Sequence, residues 1–371
     1  MDTISNKYIL PAEWHRQTCV QLTWPHEDTD WRPYLDDITD TFIQIAKAVA
    51  HYESLVVAAK YPERVREQLE GSLTDEEMGR VSIYECDNND TWARDHAFIT
   101  LVPVGDETLE GKGLTTSGAG RPLSQLGGRR LLDFRFNGWG EKFAADKDNL
   151  VNRTLYGKGV FSGERVDYDD FVLEGGSIES DGRGTVLTTS VCLMAPHRNQ
   201  PLSREEIDAE LRRRLRARRV VWINHGNLVG DDTDGHIDTT VRVAPHDTLL
   251  YIKCSDQADE HYADFCAMER ELQALRTDDG RPYRLIALPM VDEIRYDDER
   301  LPATYANFLI VNGAVIYPTY DQPHNDQAAA EALRQTFPDH ELIGIDSRVI
   351  IRQHGSVHCL TMQLPEGVLC R

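Results

Sequence analysis

An α/β fold built from repeated units is predicted by three features of the 371-residue sequence. Amphipathic helical stretches alternate with short apolar strands, pairs of strands face each other across hairpin signals, and a unit of hairpin, helix and returning strand recurs about five times at a spacing of roughly 70 residues. Nothing between the units has the composition of a flexible linker, so residues 1–371 are expected to form a single domain.

Val20–Trp24 reads as a strand, Ile38–His51 as an amphipathic helix and Leu55–Lys60 as a second strand. Ala97–Val102 and Leu131–Phe136 read as extended, with a helical stretch at Lys147–Tyr156. Between the two extended runs, Val104–Arg130 is rich in Gly and Ser and reads as a long surface excursion. Phe171–Ile178 and Gly184–Thr189 form an expected hairpin around Asp181-Gly182, followed by helix Arg204–Arg218 and strand Val220–Asn224. His236–Val243 and Leu249–Lys253 form another hairpin, then helix Ala258–Leu275 and strand Tyr283–Ala287. Phe308–Val311 and Ala314–Tyr317 pair across Asn312-Gly313, the strongest short hairpin signal in the chain. Helix Asp326–Thr336, strand Leu342–Ile345 and a last strand His354–Leu364 complete the pattern.

Composition narrows the function classes. At 40% hydrophobic and 27% charged the chain has the make-up of a soluble globular protein, and its formal net charge of −22 disfavours nucleic acid and anionic membranes as partners. Seven cysteines, an odd number without a C-x-x-C pair, argue against a disulfide framework or a zinc cluster and place the chain in the cytoplasm. The N-terminus has no basic region followed by an apolar one, so no secretory leader is expected. Association of identical chains is left open.

Four segments carry chemistry. In GDDTDGHIDTTVRV, from Gly230, an extended backbone puts His236, Asp238, Thr240 and Arg242 on one face, beside an acidic loop that holds Asp232. Such a pairing is costly unless a cation or a reaction is served there, although a solvated turn fits the same residues. Calcium is excluded by spacing: aligning Asp234-Gly235 with the D-G step of a calcium loop puts Gly230 and Val241 where carboxylates are required. In DNNDTWARDHAF, from Asp87, an extended run places Asp95 between the small residues Ala93 and Ala97, and Trp92 offers a flat wall to a delocalised cation. In FVLEGGSIES, Glu174 ends an apolar strand and Gly175-Gly176 permits close backbone approach. In RQHGSVHCLTMQLP, Val357, Cys359 and Thr361 face one way and His358 the other, so a proton-transfer partner for Cys359 must come from elsewhere, with His236 the better candidate. The other cysteines (Cys19, Cys86, Cys192, Cys254, Cys266, Cys370) read as small buried hydrophobes.

These four segments, in this order, together with the opening LPAEWHRQTCVQLTWPHEDTDW, resemble the agmatine deiminase and bacterial-type peptidylarginine deiminase family from about Pro11 to Pro365. The resemblance implies a pentein, an α/β propeller of five ββαβ-type modules about a pseudo-fivefold axis. It implies Cys359 as nucleophile in an H-C-x-T context, His236 and Asp238 as the G-H-x-D pair, Asp95 as the last residue of W-x-R-D and Glu174 as the glutamate of L-E-G-G. Trp92 and Asp232 would line the substrate pocket. The implied reaction hydrolyses the guanidinium of agmatine to N-carbamoylputrescine and ammonia, a step toward putrescine and the polyamines, without metal or cofactor. Deimination of peptidyl-arginine is the alternative within the family. A metal hydrolase using His236, Asp238 and Asp232, and a non-catalytic polyamine-binding protein, are the rivals from other classes. Two flanks depart from the family pattern: Arg94-Asp95-His96-Ala97-Phe98 where R-D-x-G-P is common, and His354-Gly355-Ser356-Val357 where a glycine run and Asn precede the His-Cys pair.

Overall fold

The last strand of the chain pairs with one of the first. In a computed structural model that describes residues 7–105 and 128–370, Thr361–Pro365 runs antiparallel to Gln17–Thr23, which is parallel to Ser54–Ala59 and that in turn to Val81–Glu85. The same order recurs in four more sheets. Ile99–Pro103, Arg130–Arg135 and Glu164–Val172 form the second, with Tyr8–Ile9 on its edge. Ile178–Ser180, Thr185–Thr189 and Arg219–Ile223 form the third, and Val241–Ala244, Thr248–Lys253 and Arg284–Pro289 the fourth. Leu309–Val311, Ala314–Thr319 and Glu341–Asp346 form the fifth, and a two-stranded ribbon joins Arg295–Tyr296 to Glu299–Arg300. In each of the five an antiparallel step precedes a parallel one, and a parallel step needs a crossover. Helices Leu35–Tyr52, Asp148–Gly157, Arg204–Leu215, Tyr262–Ala274 and Pro323–Thr336 supply the five crossovers.

The first helix shows why these segments fold as they do. Ile38, Phe42, Ile45 and Val49 recur at helical spacing and are fully buried, packing with Leu55 and Val57 of the strand that follows. Trp92 and Cys359 belong to that same apolar cluster, so the floor of the site described below is rooted in packed core. No helix among the described residues is long and apolar enough to cross a membrane.

The expected helices all form, within a few residues at their ends. The Asn312-Gly313 hairpin forms with Gly313 at φ 91, and the Asp181-Gly182 hairpin with Gly182 at φ 69. Four expected strands are interrupted. His236–Val243 is extended only over Val241–Ala244, because Ile237–Thr239 closes a 3₁₀ turn after His236. His354–Leu364 is a strand only from Thr361; a 3₁₀ turn at Ile350–Gln353 ends in His354 at φ 62, and Cys359 lies in a turn. The run around Asp95 is a short helix, Ala93–His96. Phe171–Ile178 breaks at a 3₁₀ turn, Gly175–Ser177, that follows Glu174. Helix Pro62–Glu70 and strand Val81–Glu85 went unread in the sequence. The excursion Val104–Arg130 falls mostly on 106–127, outside the described residues, as does the N-terminal 1–6 where no leader was read.

Candidate active site

Each of those interruptions turns a polar side chain inward. His236 is held by its backbone: its N–H donates to Thr233 Oγ1 (3.0 Å) and its carbonyl accepts from Thr239 Oγ1 (2.7 Å). Asp95 accepts from Trp139 Nε1 (2.9 Å) and from the Gly176 N–H (3.1 Å). Asp238 Oδ2 lies 2.7 Å from His358 Nδ1, and the Cys359 N–H donates to Asn307 Oδ1 (3.1 Å). His236, Asp238 and Glu174 are wholly buried, and Asp95 and Cys359 nearly so.

Gly176 marks where these groups converge. A Cβ there would lie 2.6 Å from His236 Nδ1, 3.0 Å from Asp95 Oδ1 and 3.1 Å from Asp238 Oδ2. Only glycine leaves room for all three, which explains the G-G step at Gly175-Gly176. Gly355 has a similar role, since a Cβ there would strike the Trp92 ring at 2.1 Å.

Beside this floor lies a cavity of about 390 Å³, a size suited to a small ligand. Trp92, Trp139, Asp95 and Cys359 line it, with Asp28, Asp30, Asp90, Asp148 and Asp232 among the remaining walls. Its two lysines are engaged: Lys142 with Asp234 (3.0 Å) and the Asp232 carbonyl, Lys147 with Asp87 (3.1 Å). Asp232 sits at the rim, its side chain 44% exposed and 3.8 Å from His354 Nε2. Trp92 forms a wall, held by its indole N–H on Asp90 Oδ2 (3.1 Å).

The electrostatics favour an incoming cation. Burial, then Asp238 and Asp95, push the Cys359 thiol well above its ordinary range, so the empty site holds it protonated. Burial raises Asp95 to about 6, against the pull of His236 and the Trp139 bond and with the push of Asp238 and Glu174. Burial opposes charge on His236, yet Asp95, Cys192 and Glu174 outweigh it and raise the imidazole to about 10. Asp238, despite burial, is held below the usual carboxylate range by His358, His236 and Arg242. Burial and Asp30 push Asp90 up to about 7. Asp238 Oδ1, Glu174 Oε2 and both ring nitrogens of His236 are buried and have no hydrogen-bond partner within the protein.

All seven residues expected at the site are in or against it: Cys359, Asp95, Trp92 and Asp232 on the cavity, His236, Asp238 and Glu174 behind it. Glu174 does not orient His236 through a hydrogen bond. Its Oε1 accepts from Arg198 Nε (2.8 Å), and that guanidinium also reaches Asp234 Oδ2 and the Thr233 carbonyl. Sequence reasoning missed Arg198, Trp139, Asn307 and the partners of His358. The ring of His358 joins Asp238 to Glu13 Oε2 (2.8 Å) and Arg242 Nη2 (3.1 Å). Two of the cysteines read as buried are not: Cys266 is half-buried and Cys370 exposed. Cys192 is buried, but against His236, close enough to help hold the ring's proton. Among the described residues the one group of donors close enough to hold a metal is Glu174, Cys192 and His236; Asp232 is not in it, which removes the expected metal-hydrolase trio.

A family model of Porphyromonas-type peptidyl-arginine deiminases matches residues 9–365. The chain belongs to that family. Within reach of this deiminase family member, an agmatine deiminase of Pseudomonas putida is 33% identical over 386 residues, spanning 97% of this chain and 96% of the relative. A solved chain from Porphyromonas gingivalis, provisionally named an arginine deiminase, is 46% identical with a TM-score of 0.87, covering 98% of this chain and 100% of its own. An agmatine deiminase of C. jejuni, solved with substrate bound in a cysteine-to-serine variant, is 34% identical with a TM-score of 0.83 and covers 97% of each chain.

The ion pair at the floor of this deiminase fold is directly testable. In nuclear magnetic resonance of the substrate-free protein with labelled histidine, His236 should stay protonated through neutrality and lose its proton near pH 10. Asp95→Asn, which removes the largest favourable influence on the ring, should lower that midpoint. A midpoint at about 6.5 in the unaltered protein, the value of a free imidazole, would refute the arrangement.

Proposed function

We propose that the protein is an agmatine deiminase that forms a covalent amidino intermediate on Cys359. One observation carries this reading: Asp238, whose Oδ1 is buried without a protein partner, converges through Oδ2 with Asp95 and His236 beside Gly176, next to an acidic cavity that Asp95 and Cys359 line. A guanidinium is planar and cationic, and two carboxylates can hold it through paired charge-assisted hydrogen bonds with its carbon toward sulfur. Its charge offsets the fields of Asp95 and Asp238 that keep the thiol protonated, so substrate binding itself favours the thiolate, with the thiol proton released to solvent. Sulfur adds to the guanidinium carbon, His236 gives its proton to the departing nitrogen, and ammonia leaves an S-alkylthiouronium. His236 then takes a proton from water, hydroxide adds to the same carbon, and the C–S bond breaks to release the ureido product and the thiol. Trp92 would stack on the bound cation, and Glu174 would hold the electrostatic balance around His236.

Agmatine fits better than free arginine. Its second cation suits Asp232, Asp90 and the other cavity acids, whereas an α-carboxylate would meet those acids with no arginine on the cavity wall among the described residues and both lysines already engaged. The 46% identity to the P. gingivalis chain favours arginine-type substrates as the second reading, and in a peptide that carboxylate is absent. The same family reading takes the chain as one pentein domain, its five larger sheets arranged about a pseudo-fivefold axis; the strand order common to all five supports it.

Mass spectrometry of enzyme quenched during turnover should find an amidino adduct on Cys359, and Cys359→Ala should abolish turnover; a variant retaining near-normal rates would remove sulfur from the mechanism. Asp95→Asn and Asp238→Asn should each fold and lose about 3–5 kcal/mol of transition-state stabilisation, roughly two to four orders of magnitude in kcat/KM. Losses under tenfold in both would contradict the clamp. With agmatine, free arginine and a peptidyl-arginine compared side by side, kcat/KM should be highest on agmatine, and a higher value on the peptide would move the protein to the second reading.

A further inference from the structure

Behind the reacting face of His236 lies a second group of reactive side chains that hydrolysis of a guanidinium does not use. Cys192, on the short helix Ser190–Leu193, packs against His236, and Glu174 closes the group. One ligand atom from each of the three lies within 4.8 Å of the others, and all three residues are buried to 0% exposure. A thiolate, an imidazole nitrogen and a carboxylate oxygen make a donor set that zinc accepts, with a fourth position left for water.

The three donors come from separate segments whose anchors are linked, since Thr189 Oγ1 also donates to the Gly235 carbonyl and Arg198 also reaches the Thr233 carbonyl. The Cys192 N–H donates to Thr189 Oγ1 (3.3 Å), and His236 is pinned by Thr233 and Thr239. Arg198 grips Glu174 through Oε1 and leaves Oε2 free. That oxygen and both His236 nitrogens are buried without a hydrogen-bond partner. A ligating atom left open while its neighbour is anchored by an outer group is the pattern expected around a metal. The group lies next to the cavity: Asp95 lines it, and its Oδ1 stands 3.7 Å from His236 Nδ1.

We infer that Glu174, Cys192 and His236 form an inhibitory zinc site. Zinc held there occupies the imidazole needed for proton transfer, so the ion switches the enzyme off without touching the nucleophile. The inhibition rests on the deiminase reading; the binding does not.

The test separates the two cysteines. Cys359→Ser protein, which keeps Cys192, should bind one equivalent of zinc, and its cobalt(II) derivative should show a thiolate-to-metal charge-transfer band. Adding Cys192→Ser should remove the band and weaken zinc binding by roughly 10–100-fold. X-ray absorption of zinc-loaded Cys359→Ser protein needs no change at Cys192 and should report one sulfur with nitrogen and oxygen ligands. With unaltered enzyme, zinc should inhibit agmatine turnover and EDTA should restore it. No zinc uptake by Cys359→Ser protein, a zinc shell without sulfur, or a band that persists after Cys192→Ser would overturn the site. Zinc binding intact in a protein that does not turn over agmatine would overturn the functional reading and uphold the site.

Discussion

Arg242 is the charge on which the rest of the arrangement depends. It is wholly buried, and a buried guanidinium is tolerated only when its donors are matched. Glu179 takes Nε at 2.7 Å, Glu13 takes Nη2, and the Ala306 and Phe308 carbonyls take Nη1. Its partners reach further: Glu13 Oε1 accepts from the Ile310 N–H (2.8 Å), Glu179 Oε2 from the Val243 N–H (2.7 Å), and Glu13 Oε2 meets His358. One cation thereby joins the N-terminal segment, three of the sheets and the residue before Cys359. His358 passes the constraint to Asp238, fixing one carboxylate oxygen and leaving the other for a ligand. The precision of the site is thus set by a network largely shielded from solvent.

The same burial creates the chemical problem that a substrate would solve. A thiol beside two carboxylates is a poor nucleophile, and the field that holds a cation is the field that suppresses the thiolate. On the proposed function, resting inertness and selectivity for cations would have one cause. An uncharged electrophile would enter the cavity without relieving the repulsion, leaving sulfur protonated.

Much of this was legible in the sequence where the signal is local. The Asn312-Gly313 turn was read correctly because a two-residue hairpin writes its backbone requirement into those two residues. The candidate residues were legible because four short motifs carry them, and the fold brings them together in or against one cavity. Their local conformation was misread for a definable reason: an alternating pattern assumes extended backbone, while Thr233 and Thr239 bend the chain around His236 through side-chain bonds to its backbone. Asp95 is likewise presented from a helical turn, and Cys359 from a turn after the left-handed His354. Glu13 and His358 stand 345 positions apart, and Arg198 and Asn307 act through contacts across the fold. No spacing rule reports such pairs, so the groups that aim the chemistry were the ones left unread.

The pairing of Thr361–Pro365 with Gln17–Thr23 has a consequence for the order of assembly. During synthesis the strands that open the chain emerge hundreds of residues before their antiparallel neighbour, so their sheet waits with an uncovered edge until the last part of the chain arrives. Cys359 precedes that neighbour by two positions and is delivered with it. A chain interrupted before residue 359 therefore lacks both the neighbour that covers this edge and Cys359, so the two arrive in the same event.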